Sequence, residues 1–311
     1  MTNHVPEESM ELSTDELIDR FINSLVAHGR SQNTIRNYRK FLTDFHVFLS
    51  THLFNGEYRI DEDVTCIELE KYFSYLKTEK LNSSKTIYTK LTGIQSFYNY
   101  MERMGYCSIN VPRTMGKISV EKKEREYLTI EEMTRLLQSI DHPVIYAVVA
   151  TISYAGLRIS EVCNLKKTDV DLQNMELFVH MGKGKKDRIV PISEELGNIL
   201  LEYKEQSTYN KTEYFFATAH SKGHISHQYV NQCIAKYVKV AGITKAISAH
   251  SLRHSYASAL ATNGCSVVAI QKLLGHSSLK TTTIYTHASK QELVDSVNTL
   301  NLKGDDEHAP V

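Results

Sequence analysis

From Ser13 to Gly105 apolar residues recur at three- and four-residue intervals, the spacing that lays one stripe along a helix. Ser13-Thr-Asp-Glu16 reads as a capping box. Leu17, Phe21 and Leu25 follow it, and Gly29 stops the helix. A second helix starts near Ser31 with Ile35, Tyr38, Leu42, Phe45 and Leu49 on its apolar side. Thr65-Cys-Ile-Glu68 is another capping box, opening a helix that carries Leu69, Tyr72, Phe73 and Leu76. The fourth runs from about Ser84 to Met104, with Ile87, Leu91, Ile94, Phe97 and Met101 inward and Gly105 at its end. Four helices of this kind predict a small bundle over residues 10–106.

The pattern then changes twice. Residues 107–126, with Pro112, Gly116 and a mixed charged run, lack helical periodicity and read as a linker. Thr129-Ile-Glu-Glu132 opens the next domain with a third capping box, and helical spacing continues to Ala155, where Gly156 ends it. Met175–Met181 and Arg188–Ile192 are strand-like, with Gly182–Asp187 as the hairpin turn between them. Helical spacing resumes at Ser193. The expected fold is mainly α: an N-terminal four-helix bundle, then over residues 127–302 a mixed α/β domain, mostly helical with a small antiparallel sheet. An acidic tail over 303–311 follows.

Composition agrees with two domains in 311 residues. There is no run of about eighteen apolar residues, so no membrane span is expected. The first residues lack a basic and then apolar signal pattern, and the five cysteines are scattered. Both point to a reducing cytoplasm. The net charge of zero argues against a polyanionic partner until its distribution is considered. From Tyr214 to Gln291 there is no Asp or Glu, although 36 acids among 311 residues would put about nine there. The same stretch holds seven histidines, Arg253 and lysines at 222, 236, 239, 245, 272, 280 and 290. A long carboxylate-free segment creates a positive field that suits nucleic acid.

Five polar residues give this region a chemistry: Arg158, His250, Arg253, His276 and Tyr285. Two guanidiniums can clamp one phosphate through forked hydrogen bonds. Imidazoles can donate or shuttle protons near neutral pH. A phenol can attack phosphorus and hold it covalently. Arg158 follows a helix-ending glycine and so leaves a fixed corner, with Glu161 one helical turn on and able to orient it. His250 and Arg253 share one helix face at a helix N-terminus, where backbone N–H groups favour an anion. His250 and His254 have the spacing of a zinc helix, but position 251 is serine where a metalloprotease needs its glutamate, so no metal is expected. Gly182-Lys-Gly-Lys lacks the spacing of a nucleotide loop. A hairpin tip with Lys183, Lys185, Lys186 and Arg188 is expected instead to reach into a DNA groove. Tyr256, one turn from Arg253, is the rival to Tyr285 as nucleophile.

The words Gly156-Leu-Arg158, His250-Ser-Leu-Arg253-His254, Leu274-Gly-His276 and Ile284-Tyr-Thr-His287, in this order, resemble the signature of the tyrosine recombinases, the phage integrase family, and most of all its short Xer-type members. The resemblance implies a SAM-like N-terminal domain that grips one side of the DNA. It also implies a site-specific recombinase that cuts and rejoins strands through a 3′-phosphotyrosine. Arg158, Lys183, His250, Arg253, His276 and Tyr285 take the catalytic positions, Glu161 the supporting acid, and no cofactor or metal is required. Lys183 matches the family's proton donor to the leaving 5′-oxygen, with Lys185 as rival. DNA contacts are expected from Arg36, Arg39, Lys40, Lys85, Lys90, Lys185 and Lys186. The partners implied are paired double-stranded recognition sites and a homo-tetramer, or a hetero-tetramer with a second recombinase. Leu293, Val297 and Leu300 form an apolar stripe that could pack on its own domain; the resemblance favours docking on a neighbouring protomer. Two other readings are a DNA-binding regulator of the same fold and a type IB topoisomerase, which rejoins the same strand.

Overall fold

The computed structural model describes residues 12–115, 126–180, 187–207, 212–217, 223–275 and 290–300. The chain divides into two compact units, residues 1–123 and 124–311.

The first unit contains α1 (Thr14–Ala27), α2 (Gln32–Phe48), α3 (Cys66–Thr78), α4 (Ser84–Met104) and the short α5 (Val111–Thr114). The starts follow from capping chemistry. Ser13 and Thr65 close capping boxes with Glu16 and Glu68, and Ser31 and Ser83 accept from the third residue on. The stripes then meet: Leu42, Phe45, Leu69, Tyr72, Ile94, Phe97 and Met101 are all fully buried in one core. Mid-core, the Tyr98 hydroxyl donates to Ile60 O at 2.8 Å, so the buried phenol is satisfied. The stretch read as linker begins with structure. Val111 and Pro112 are buried, and α5 packs on α3 and α4. Proline at the start of α5 suits a first turn, and four residues are too few to show a periodicity.

The second unit is built on α7 (Pro143–Ala155), which is mostly apolar and buried from Val144 to Ala155 except for half-buried Tyr146. A helix without a polar face must be enclosed. Around it lie α6 (Ile130–Gln138), α9 (Glu194–Gln206), α10 (His227–Val240) and α11 (Ala249–Thr262), with α8 (Ile159–Cys163) directly after it. Three strands, β1 (Val170–Asp171), β2 (Glu176–Val179) and β3 (Arg188–Pro191), form an antiparallel sheet in the order β1-β2-β3. Glu176 faces Pro191 and Val179 faces Arg188 in its register. Pro191 is tolerated because β3 is an edge strand. Below the turn, His180 bonds Asp187 Oδ2 and Asp169 Oδ1, each at 3.1 Å. These carboxylates, Asp187 first, raise the His180 pKa.

Beyond α11 come α12 (Val267–Leu274) and α13 (Lys290–Asn298). Of the two placements open to the stripe, the structure shows it covered within its own unit. Leu293, Val297 and Leu300 are buried in the core of the second unit, where α13 packs on α12 and β3. A stripe that can reach its own core buries itself without the rotational and translational cost of a second chain.

Gly156 joins α7 to the corner that carries Arg158. It is left-handed, φ 61°, and a Cβ there would stand 2.3 Å from Tyr256 Cδ1. Gly264, between α11 and α12, has φ 81° with open space at its Cβ position. Gly264→Ala should therefore cost only the left-handed penalty, about 1–2 kcal/mol. Gly156→Ala adds a clash inside a packed core and should cost about 2–5 kcal/mol in all. Thermal unfolding of the two variants measures the difference; equal losses would mean that the Tyr256 ring, and not the backbone, gives way.

Candidate active site

The corner after α7 sets the first side chain. Arg158 caps α8, and its own N–H donates to Glu161 Oε2 at 2.8 Å. Its Nη1 donates to Glu161 Oε1 at 2.7 Å, so the carboxylate grips backbone and guanidinium together. Glu161 is buried, and Arg158 is about one-third exposed. The expected orienting role of Glu161 thus has its geometry in place.

Arg253 approaches from α11 and is buried. Its Nη1 donates to Gly156 O at 2.6 Å and its Nη2 to Leu274 O at 2.5 Å. It also lies 3.8 Å from Glu161 Oε2. Burial first, and then the Arg158 charge, push its pKa down to about 10, which keeps it charged at neutral pH. Arg158 Nη2 reaches Gly275 O at 3.5 Å. Both arginines thus converge on the end of α12, immediately before His276. A helix C-terminus carries unsatisfied carbonyls and partial negative charge, so cations settle there.

Arg188 corrects an expectation. Read as a hairpin cation reaching for DNA, it faces inward instead, with its side chain only 10% exposed. Nη1 and Nη2 donate to the two oxygens of Glu161 at 3.0 and 2.8 Å, and Nε donates to Leu273 O at 3.1 Å. As the first residue of β3 opposite Val179, it stands where the sheet meets α8 and α12. The clue in the sequence was its place inside the strand and not in the turn. Burial pushes the Glu161 carboxyl up, but Arg188, the Arg158 N–H and the Arg158 guanidinium pull it down to about 2. One carboxylate therefore sits among three guanidiniums, and the cluster is positive. Such an arrangement is suited to a dianionic or developing negative charge.

His250 stands in the first turn of α11, exposed, one turn before Arg253. Its Nε2 lies 3.1 Å from His254 Nε2. Tyr256, the rival nucleophile, is fully buried against Gly156, and burial raises its pKa. A phenol sealed in the core cannot reach a phosphodiester. Lys183, Lys185, Lys186, His276 and Tyr285 lie outside the described residues. In the first unit Arg36, Lys40 and Lys85 are exposed. Arg39 pairs with Asp19 at 2.6 Å, and Lys90 is largely covered and bonded to Asp44 at 3.0 Å.

Known proteins share this layout. The sequence profile of the phage integrase family matches residues 126–292, and that of the phage integrase N-terminal SAM-like domain matches residues 17–105. A tyrosine recombinase of Thermosipho africanus is 32% identical over 92% of this chain and 100% of its own. Tyrosine recombinase XerC of Thermodesulfovibrio yellowstonii is 30% identical over 91% of this chain and 95% of its own. In fold, the chain resembles a lambda integrase tetramer bound to a Holliday junction, with TM-score 0.72 at 18% identity over 91% of this chain and 84% of that one. With one profile spanning the arginine cluster and another the helical unit before it, the chain belongs to the phage integrase family of tyrosine recombinases.

Proposed function

We propose that this protein is a site-specific recombinase that cuts and rejoins double-stranded DNA through a 3′-phosphotyrosine intermediate. The observation that carries the reading is the convergence of Arg158 and Arg253 on the end of α12, held there by a buried Glu161. In this reading the two guanidiniums neutralise the non-bridging oxygens as charge builds in the pentacoordinate transition state. Each carries more N–H donors than its internal bonds consume, so a phosphate can be added without dismantling the cluster.

The remaining roles complete one reaction. Tyr285 attacks phosphorus in line and forms the O–P bond as the bond to the 5′-oxygen breaks. Lys183 gives that leaving oxygen its proton. His250 assists removal of the tyrosine proton, and His276 hydrogen-bonds the phosphate. The energy of the broken ester bond is kept in the phosphotyrosine, so the 5′-hydroxyl of another strand can attack it without ATP. We assign no step to a metal ion.

The DNA grip follows the charge. Arg36, Lys40 and Lys85 offer exposed cations on the first unit, while Arg39 and Lys90 would have to exchange carboxylate partners for phosphates. Lys185 and Lys186 add charge beside Lys183. On this reading residues 10–106 bind the core of the site, 107–126 connect, and 127–302 catalyse, with 303–311 as a tail. Four protomers, alike or shared with a second recombinase, act on two sites in the cytoplasm. Strand exchange between sites is favoured over the topoisomerase reading because relatives named tyrosine recombinase match nearly the whole chain.

The nucleophile has a direct test. Tyr285→Phe should keep single-site DNA binding and abolish covalent protein–DNA adducts on nicked substrates. Tyr256→Phe, which removes a buried hydroxyl with no hydrogen-bond partner, should leave adduct formation in place. Adducts that survive in the first variant and vanish in the second would reverse the assignment.

The proton donor has a chemical test. Lys183→Ala should slow cleavage by about 10²–10⁴-fold, the range for a lost general acid. Sulfur at the 5′-bridging position leaves without help, so that substrate should restore most of the rate. Rescue confined to Lys185→Ala would move the role two residues along the turn.

A further inference from the structure

We infer that Arg188 is a positioning residue of the phosphate clamp, holding Glu161 and the end of α12 so that Arg158 and Arg253 are kept in place to receive the phosphate. The inference rests on the proposed clamp role of those two arginines.

Its basis is where each of the three side-chain nitrogens of Arg188 is directed. The fork takes both oxygens of Glu161, at 3.0 and 2.8 Å, and Nε takes Leu273 O at 3.1 Å. The guanidinium is committed to protein on all three nitrogens and forks across both oxygens of Glu161, so it is placed to organise the cluster. Each of its two attachments leads to one arm of the clamp. Through Glu161 it reaches Arg158, which the same carboxylate holds at 2.7 Å. Through α12 it reaches the helix end that Arg253 grips one residue later, at Leu274 O, and that Arg158 approaches at Gly275 O. Three consecutive carbonyls thus meet three different guanidiniums.

Charge gives Arg188 a second effect. Glu161 Oε2 is only 3.8 Å from Arg253, but it already accepts from Arg188 and from the Arg158 backbone. Without Arg188 the carboxylate can turn toward Arg253 and form a tight pair. That pair would cancel positive charge which the phosphate needs. A lysine at this position would keep the charge but cannot fork across two oxygens while also bonding Leu273 O.

The test measures covalent adduct formation by the full-length protein on nicked sites of three kinds: ordinary phosphate, methylphosphonate and 5′-bridging sulfur. The methylphosphonate lacks one charged oxygen and so relies less on the clamp. Arg188→Ala should bind a single site normally and form adducts on phosphate about 10²-fold more slowly, as a misplaced catalytic group does. Most of that gap should close on the methylphosphonate and persist on the sulfur substrate. Arg188→Lys should recover part of the loss, and carries the same comparison if the alanine variant does not fold. A gap of unchanged size on the methylphosphonate overturns the inference. So does a gap that closes only with sulfur, because Arg188 would then serve the proton donor. Arg158→Ala is the control: if its defect shrinks on the methylphosphonate and that of Arg188→Ala does not, the Arg188 inference alone fails. If neither shrinks, the clamp reading falls with it.

Discussion

The arginine cluster of the second unit depends on one covered carboxylate. Glu161 accepts from the Arg158 backbone, the Arg158 guanidinium and both forks of Arg188. Taking a carboxylate out of water is costly unless its lone pairs are filled and opposite charge is close. Here both conditions are met, and the carboxyl is held down at about 2 despite its burial. The reverse is also true. Three guanidiniums could not sit this close without an anion among them. The carboxylate permits their crowding and leaves the cluster with positive charge to spare.

Around this centre each element contributes a position. α7 is a buried post whose left-handed end, Gly156, fixes where Arg158 emerges and lends its carbonyl to Arg253. α11 delivers His250 to the surface and, three residues on, Arg253 to the interior. The sheet brings Arg188 against α8 and α12. The site is therefore assembled from segments far apart in sequence but rigid in themselves, which is the arrangement that holds catalytic groups to a fraction of an ångström.

Much of this was legible along the chain, for physical reasons that differ by element. Ser13, Ser31 and Thr65 announce helix starts because each satisfies an orphan N–H, a local requirement that local sequence records. Gly156 announces a stop because of its φ. The strand position of Arg188 set it apart from the turn, but the partner it turns inward to meet was not legible, being a carboxylate 27 residues away in sequence. The sealing of Tyr256 was hidden for the same reason: its neighbour Gly156 is distant in the chain. α5 was missed because one turn of helix leaves no repeating pattern. The packing of α13 turned on a choice between two surfaces that an apolar stripe cannot make by itself.

The arginines grip α12 by its carbonyls. A carbonyl oxygen is the same whatever side chain its residue carries. Leu273 and Leu274 are buried, so their side chains answer to the core, while their oxygens answer to the guanidiniums. The two duties are separable. Exchanging either leucine for another apolar residue of similar volume alters packing and leaves the anchor points unchanged. Moving the helix along its axis by one residue would hand each arginine a different oxygen and carry the segment after Gly275 with it. The site is thus tolerant of composition here and intolerant of insertion or deletion: its ruler is the peptide repeat itself.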